Sequence, residues 1–74
     1  MLIQLCHTKV NRIYKIDHIV GPNKCRLLEI GLIRCLKIKV IYKIHKGPIL
    51  IKFKDSTLAI SNEEALNIFV NNEV

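Results

Sequence analysis

The sequence of 74 residues predicts a mainly β fold: a small five-stranded barrel with one short α-helix and one helical turn. One observation is that the hydrophobic period changes at Gly31 from about 3.6 residues, typical of a helix, to about 2, typical of a strand. Another is that short alternating runs are separated by glycine and proline turn signals. The length suits one domain, residues 1–74, which buries only about 60% of its unfolded surface.

The first strand and the helix are predicted from the first half of the chain. Residues 10–20 contain enough valine, isoleucine and tyrosine for a strand. A turn at residues 21–23 follows, and Asn23 or a neighbour can cap a helix of about two turns. This helix should end at Gly31, because glycine enters the left-handed conformation without steric penalty. The residues expected on its apolar face are Leu27, Leu28 and Ile30.

Two strands with alternating lysines are predicted next, joined by a four-residue hairpin loop at residues 45–48. Alternation predicts one buried and one solvated face. The inward set is Leu36, Ile38, Val40, Tyr42 and Ile44 in the second strand, and Ile49, Ile51 and Phe53 in the third. The outward set is Lys37, Lys39, Ile41 and Lys43, and Leu50, Lys52 and Lys54.

The last third of the chain contains a short strand at residues 57–60, a helical turn and a final strand at 68–70. Ser61 and Glu64 have the spacing of a capping box, which predicts the helical turn. Five short antiparallel strands are too few for a sandwich and unsuited to a doubly wound sheet. An SH3-like barrel remains as the predicted architecture.

Composition limits the classes of function. The formal charge of +6 and the pI near 9.5 favour acidic partners, nucleic acid or an anionic membrane surface. Because no apolar run approaches the roughly 18 residues of a membrane span, or a signal-peptide core, we expect a soluble cytoplasmic protein. Cys6, Cys25 and Cys35 show no CxxC pair or regular disulfide spacing, so we expect reduced thiols.

The order of motifs resembles the FeoA family, ferrous iron transport protein A. The similarity rests on the block RLLEIGLI at residues 26–33, the lysine-alternating strand after it, Gly-Pro-Ile at 47–49 and Leu-Ala-Ile at 58–60. It extends from about residue 10 to residue 70. Family members usually have Pro-Gly where this chain has Arg34-Cys35. Because cysteine resists positive φ, we expect a different turn there. Residues 6–9 replace the customary glycine-containing turn, so the docking of the N-terminus stays open.

The resemblance implies a small cytosolic accessory or regulatory protein of ferrous iron uptake. Such a protein would act by protein–protein interaction with the FeoB membrane transporter, which has a cytoplasmic GTPase part, and would not be an enzyme. The inner membrane surface is a further candidate partner. The same barrel is appended to iron-dependent repressors of the diphtheria toxin repressor type, so a regulatory domain related to their C-terminal module is an alternative. The sequence has no helix-turn-helix pattern.

No catalytic residue, cofactor or metal site is predicted. The phosphate-binding pattern GxxxxGK[ST] is absent, and Asp55 and Ser56 suit a turn. Two adjacent pairs, Cys6-His7 and Asp17-His18, would point to opposite sides of an extended chain. No pair shows the two-to-four-residue spacing of a closed metal site. The residues considered as ligands are Cys6, His7, Asp17, His18, Cys25, Cys35 and His45.

Eight residues are candidates for partner binding: Lys37, Lys39, Lys52 and Lys54 in the strands, and Arg26, Glu29, Leu32 and Ile33 in and after the helix. Two hairpin registers, with paired residue numbers summing to 93 or 91, each place like charges opposite one another. The lysines either protect strand edges and keep the protein soluble, or form a basic face for an acidic partner or membrane. In the helix, Arg26 either pairs with Glu29, bonds elsewhere on its own barrel, or contacts the partner.

A basic nucleic-acid-binding barrel is the alternative from another class of function. Binders of single strands stack bases on exposed aromatic side chains. Tyr42 and Phe53 both have the inward phase of their strands, so no exposed aromatic platform is expected and no nucleic-acid partner is predicted.

Overall fold

A computed structural model describes residues 2–72 and contains one antiparallel sheet of six strands. The strands are β1 (Leu2–Gln4), β2 (Arg12–Ile19), β3 (Lys37–Lys43), β4 (Ile49–Phe53), β5 (Ser56–Ile60) and β6 (Ile68–Asn71). A 3-10 turn, Leu5–His7, follows β1, and the helices are α1 (Lys24–Ile30) and α2 (Asn62–Ala65). The strand order is β1-β6-β2-β3-β4-β5.

The mainly β class is confirmed, but the strand count of five was wrong. The sequence analysis missed β1, whose three residues are too few to show alternation. Among residues 2–72 no pairing joins β1 to β5, so the sheet is open and a closed barrel is not confirmed. The curled sheet with its short helices fits an SH3-like fold.

One hydrophobic core lies on the inner side of the sheet and is covered by α1, α2 and the 3-10 turn. Most of its members are aliphatic: Leu5, Tyr14, Ile16, Ile19, Leu27, Leu32, Ile38, Val40, Ile49, Ile51, Phe53, Ile60, Ala65, Ile68 and Val70. In α1 only Leu27 is buried, whereas Leu28 and Ile30 are exposed, so the predicted apolar face of the helix is narrower than expected. The core therefore depends chiefly on the strands.

A β-bulge at Ile41 reverses the phase of β3 in mid-strand. Val40 pairs with Ile51, and Tyr42 then pairs with Leu50, so Ile41 is an extra residue. The predicted inward positions of Tyr42 and Ile44 were therefore wrong, since both side chains are exposed. Lys43, predicted outward, is half-buried.

The N-terminal segment docks on the sheet through Lys43. Its Nζ donates hydrogen bonds to the carbonyl oxygens of Cys6, at 2.9 Å, and Thr8, at 2.8 Å. The backbone N–H of Lys9 donates to the hydroxyl of Tyr14 at 2.9 Å, and the Gln4 side chain donates to the Leu66 carbonyl at 2.8 Å. These bonds settle the docking that the sequence left open.

In the hairpin between β3 and β4, Lys39 lies opposite Lys52. This is the predicted register in which the paired residue numbers sum to 91. Beyond the bulge the register shifts by one residue, and Lys43 lies opposite Ile49. The loop consequently spans residues 44–48, one residue more than predicted.

Local signals at both helices are confirmed. α1 ends at Gly31, whose φ of 118° is in the left-handed region. Asn23 precedes the helix, but its side chain bonds to Glu64 instead of the helix backbone. At α2 the capping box is complete, with Ser61 accepting from the Glu64 N–H and Glu64 accepting from the Ser61 N–H.

The turn into β3 has a positive φ at Cys35, which is 71°. The expectation that cysteine would alter this turn was wrong. The Cys35 N–H donates to the carbonyl of Ile16 at 2.7 Å, and the next residue, Leu36, bonds back to Ile33 at 3.2 Å. Tertiary hydrogen bonding therefore holds a non-glycine residue in the left-handed region.

We expect Gly31→Val to destabilise the protein by more than about 1 kcal/mol, because a β-branched residue is strained at positive φ. Space is not the cause, since a Cβ at this position would lie 3.9 Å from the Phe53 ring. Thermal and urea unfolding measure the change. Gly31→Asn is the matched control, because asparagine tolerates this conformation and should cost less. Equal losses in the two variants would contradict this explanation.

We expect Cys35→Gly to stabilise the protein by about 0.5–1 kcal/mol. A residue other than glycine in the left-handed conformation destabilises the folded state by about 1–2 kcal/mol, and the substitution removes this strain. Glycine also gains conformational freedom in the unfolded state, which reduces the stabilisation by about 0.5–1 kcal/mol. Cys35→Ala removes the same exposed thiol but keeps the strained φ, so urea unfolding should show no comparable gain. If the glycine variant were less stable than the alanine variant, the positive φ at residue 35 would not be a source of backbone strain.

Candidate interaction site

Five lysines lie on the outer side of β2, β3 and β4. Lys15 lies opposite Lys37 and Lys39 lies opposite Lys52, while Lys54 follows β4. Ile13 also pairs with Lys39, and its side chain is 40% exposed. We call Ile13, Lys15, Lys37, Lys39, Lys52 and Lys54 the basic sheet face. The structure thus brings together the four lysines that the sequence selected.

The lysines of the basic sheet face form no salt bridge with the carboxylates of the residues that the structure describes. The salt bridges found among residues 2–72 are Asp17–His18 and Arg26–Glu64, and neither includes one of these lysines. Like charges directly opposite one another in a sheet are destabilising. An open depression of ≈ 330 Å³ lies between the lysines, with Ile13 on its lining. The surface can accept an extended anionic partner.

Sequence reasoning missed Lys15 and Ile13 as members of this face. The alternation of the first strand is imperfect, because Asp17 is a bulge residue between Ile16 and His18 in the pairing with β6. Before the bulge, Ile13 and Lys15 follow a regular outward phase. The alternation of outward and inward residues is therefore regular over residues 12–16, but the bulge at Asp17 interrupts it and obscures the pattern in the sequence.

Arg26 contacts Glu64 and thereby ties α1 to α2. Its Nη1 lies 3.5 Å from Glu64 Oε2, so of the two intramolecular alternatives for Arg26, the bond elsewhere on the same domain is the one formed. The Glu64 side chain is mostly buried and also accepts from Ser61 and Asn23. Because the Arg26 side chain is 68% exposed, this pair contributes little to stability, about 0.2–1 kcal/mol at most.

The remaining helix candidates separate into exposed and buried residues. Leu32 has no exposed surface, so its prediction as a docking residue was wrong: it fills the core after the helix ends. Ile33 is 52% exposed and Glu29 is also exposed. We call Arg26, Glu29 and Ile33 the helix surface. Arg26 lines an open cleft beside the loop at 46–48, and none of the five lysines of the basic sheet face borders that cleft.

Asp17 and His18, which were expected to point to opposite sides of an extended strand, form a hydrogen-bonded pair. The bulge at Asp17 brings its Oδ2 to 2.6 Å from His18 Nδ1. The His18 ring stacks on Phe69, with centroids 4.6 Å apart. The hydrogen bond from His18 lowers the pKa of Asp17 below its usual range, and the charge of Arg34 acts in the same direction. The pair is a local brace between β2 and β6.

Within residues 2–72 no three histidine, cysteine, aspartate or glutamate side chains are grouped to hold a metal ion. Cys25 and Cys35 are exposed free thiols, and Cys6 is a half-buried one. In the same range, no helix has the length and apolar character needed to cross a bilayer.

Comparison with known proteins shows the family. The FeoA domain model matches residues 3–72. A crystal structure of an iron uptake regulatory protein (FeoA) superposes with a TM-score of 0.86 at 22% identity, covering 96% of each chain. The FeoA protein of Chlorobium tepidum gives 0.87 at 24% identity, covering 97% of this chain and 71% of that one.

A manganese-dependent transcriptional repressor also shares the fold, with a TM-score of 0.87 at 18% identity. The match covers 97% of this chain but 42% of the repressor. A sequence comparison with curated proteins finds no match. Because the family model spans nearly all of the sequence and the fold agrees with it, the chain belongs to the FeoA domain family.

Proposed function

We propose that this protein is a small accessory or regulatory protein of ferrous iron uptake that works by contact with a FeoB-type membrane transporter. The observation that carries the proposal is the FeoA domain match over residues 3–72. The likeness to an iron uptake regulatory protein supports the same role. In this role the protein acts at the cytoplasmic side of the membrane, performs no catalysis itself, and leaves GTP hydrolysis to its partner.

The helix surface is the part we propose for contact with the transporter. Ile33, after the end of α1, is 52% exposed, and Leu28 and Ile30 in α1 are also exposed, so three apolar residues of this segment reach solvent. Arg26 and Glu29 are exposed residues of opposite charge in the same helix. Apolar contacts with a polar rim are typical of protein–protein interfaces. The basic sheet face is chemically different, because it combines positive charge with few neighbouring carboxylates.

A regulatory domain comparable to part of a metal-dependent repressor is the second candidate. It is favoured by the fold that this chain shares with a manganese-dependent transcriptional repressor. Phe53 has the predicted inward position, but Tyr42 is 56% exposed, so the sheet does present one aromatic side chain to a nucleic acid. A single exposed tyrosine still offers one stacking position, whereas single-strand binders use several.

We expect Ile33→Asp to weaken capture of the detergent-solubilised transporter about fivefold to tenfold, because the exposed apolar surface of the side chain is lost from the contact. Arg26→Ala should act in the same direction. The melting temperature should not change for Ile33→Asp, because that side chain faces water. It should fall by no more than a few degrees for Arg26→Ala, because the exposed ion pair with Glu64 contributes little to stability. Leu66→Asp is the matched control, since Leu66 is 43% exposed and lies after α2. Wild-type capture by the Ile33 variant would remove the helix surface from the proposal.

We expect the purified protein to retain neither ferrous iron nor zinc in one-to-one amounts after dialysis. The described cysteines and histidines are not grouped, so no site supplies the three or four ligands that tight binding needs. Metal analysis of the dialysed protein measures the content. Stoichiometric metal that is lost on mutating Cys25 or Cys35 would contradict this expectation.

A further inference from the structure

The bulge at Ile41 adds an aromatic residue to the outer side of the sheet. Tyr42 lies opposite Leu50, which is two residues from Lys52 along β4 and therefore on the same side of the sheet. The Tyr42 side chain is 56% exposed. We call the basic sheet face together with Tyr42 and Leu50 the outer sheet face. It combines five lysines with one aromatic and two aliphatic side chains.

The charge of the outer sheet face is open to an external anion. None of the salt bridges found in residues 2–72 engages its lysines. Asp17, two residues beyond Lys15, is hydrogen bonded to His18. Asp55 lies in the turn after Lys54, at the border of the face. Among residues 2–72, neither Asp17 nor Asp55 forms a salt bridge with a lysine of this face.

We propose that the outer sheet face binds the surface of a bilayer containing anionic phospholipid. Lysine ammonium groups near such a surface each strengthen partition about fivefold. Tyrosine is enriched at the level of the headgroups, where its ring is apolar and its hydroxyl is hydrated. Ile13 and Leu50 add aliphatic surface beside it, and the lysine stems extend over the same surface while their charges reach the headgroups.

The side chains favour a bilayer over a nucleic acid. Stacking surfaces for single strands use aromatic rings for successive bases, but the outer sheet face has one ring, and its other apolar members are aliphatic. The open depression of ≈ 330 Å³ has four lysines on its lining, and its aromatic member, Phe53, is buried and offers no stacking surface. The proposal goes beyond the function proposed above, because the lipid contact requires no transporter.

Sedimentation of the purified protein with vesicles tests the proposal. Vesicles of phosphatidylcholine mixed with phosphatidylglycerol should bind the protein, whereas vesicles of phosphatidylcholine alone should not. Added salt should weaken binding because it screens the lysines. Lys39→Glu/Lys52→Glu should weaken it at least about 25-fold, since two lysines are lost. Ile13→Ser/Tyr42→Ser should also weaken it, while preserving its salt dependence.

The matched control is Lys9→Glu/Lys24→Glu, which changes the net charge equally at exposed positions that do not line the depression. It should lose much less binding than the variant of the sheet. Lys37→Glu/Lys54→Glu serves as a second variant if the first unfolds, and the melting temperature of each is checked.

Equal losses in the control and sheet variants would mean that net charge alone matters, and would overturn the proposal. Absence of binding to the mixed vesicles would do the same. Salt-resistant binding of single-stranded RNA that depends on Tyr42, without vesicle binding, would assign the face to nucleic acid. Because transporter capture is measured in detergent with Ile33→Asp, failure of the lipid proposal is distinguishable from failure of the proposed function.

Discussion

The single extra residue in β3, Ile41, determines much of what the surface of this domain presents. Without it, Tyr42 would point to the core and Lys43 to solvent. With it, Lys43 turns inward and binds the carbonyl oxygens of Cys6 and Thr8, so the N-terminal segment is fastened to the middle of the sheet. The same change of side-chain direction places the ring of Tyr42 on the outer side of the sheet with the lysines. One insertion therefore serves both the assembly of the fold and the chemistry of its outer side.

Side-chain hydrogen bonds and salt bridges connect the helices to each other and β2 to β6, but the described residues form no salt bridge to the basic sheet face. Glu64 of α2 contacts Asn23 and Arg26 at α1, and Ser61 at the start of α2. In β2, Asp17 accepts a hydrogen bond from Asn71 of β6. The lysines of the basic sheet face have no salt-bridge partner among the described residues. Lysine pairs that repel across strands cost stability, which the aliphatic core beneath them offsets. Because these charges weaken the fold instead of stabilising it, their role lies outside the fold.

Features encoded by neighbouring residues were predictable, and features decided by pairing were not. The end of α1 at Gly31 and the capping box of Ser61 and Glu64 depend on local chemistry, so the sequence revealed both. The bulges at Asp17 and Ile41 depend on which strands lie alongside, and the bulge at Ile41 inverted the predicted directions of Tyr42 and Lys43. Cys35 adopts a turn that its own preference disfavours because a bond to Ile16 holds it.

The position of β6 has a consequence for how the chain acquires its fold during synthesis. Residues 68–71 pair with β1 on one side and with β2 on the other, so the last strand described fills the gap between the first two. The hairpins from β3 to β5 need only contacts between near neighbours and can form as they emerge. The N-terminal segment must wait, because β6, its pairing partner, is translated after the other five strands. The sheet is therefore completed only when β6 is available, and β1 has no strand to pair with until then.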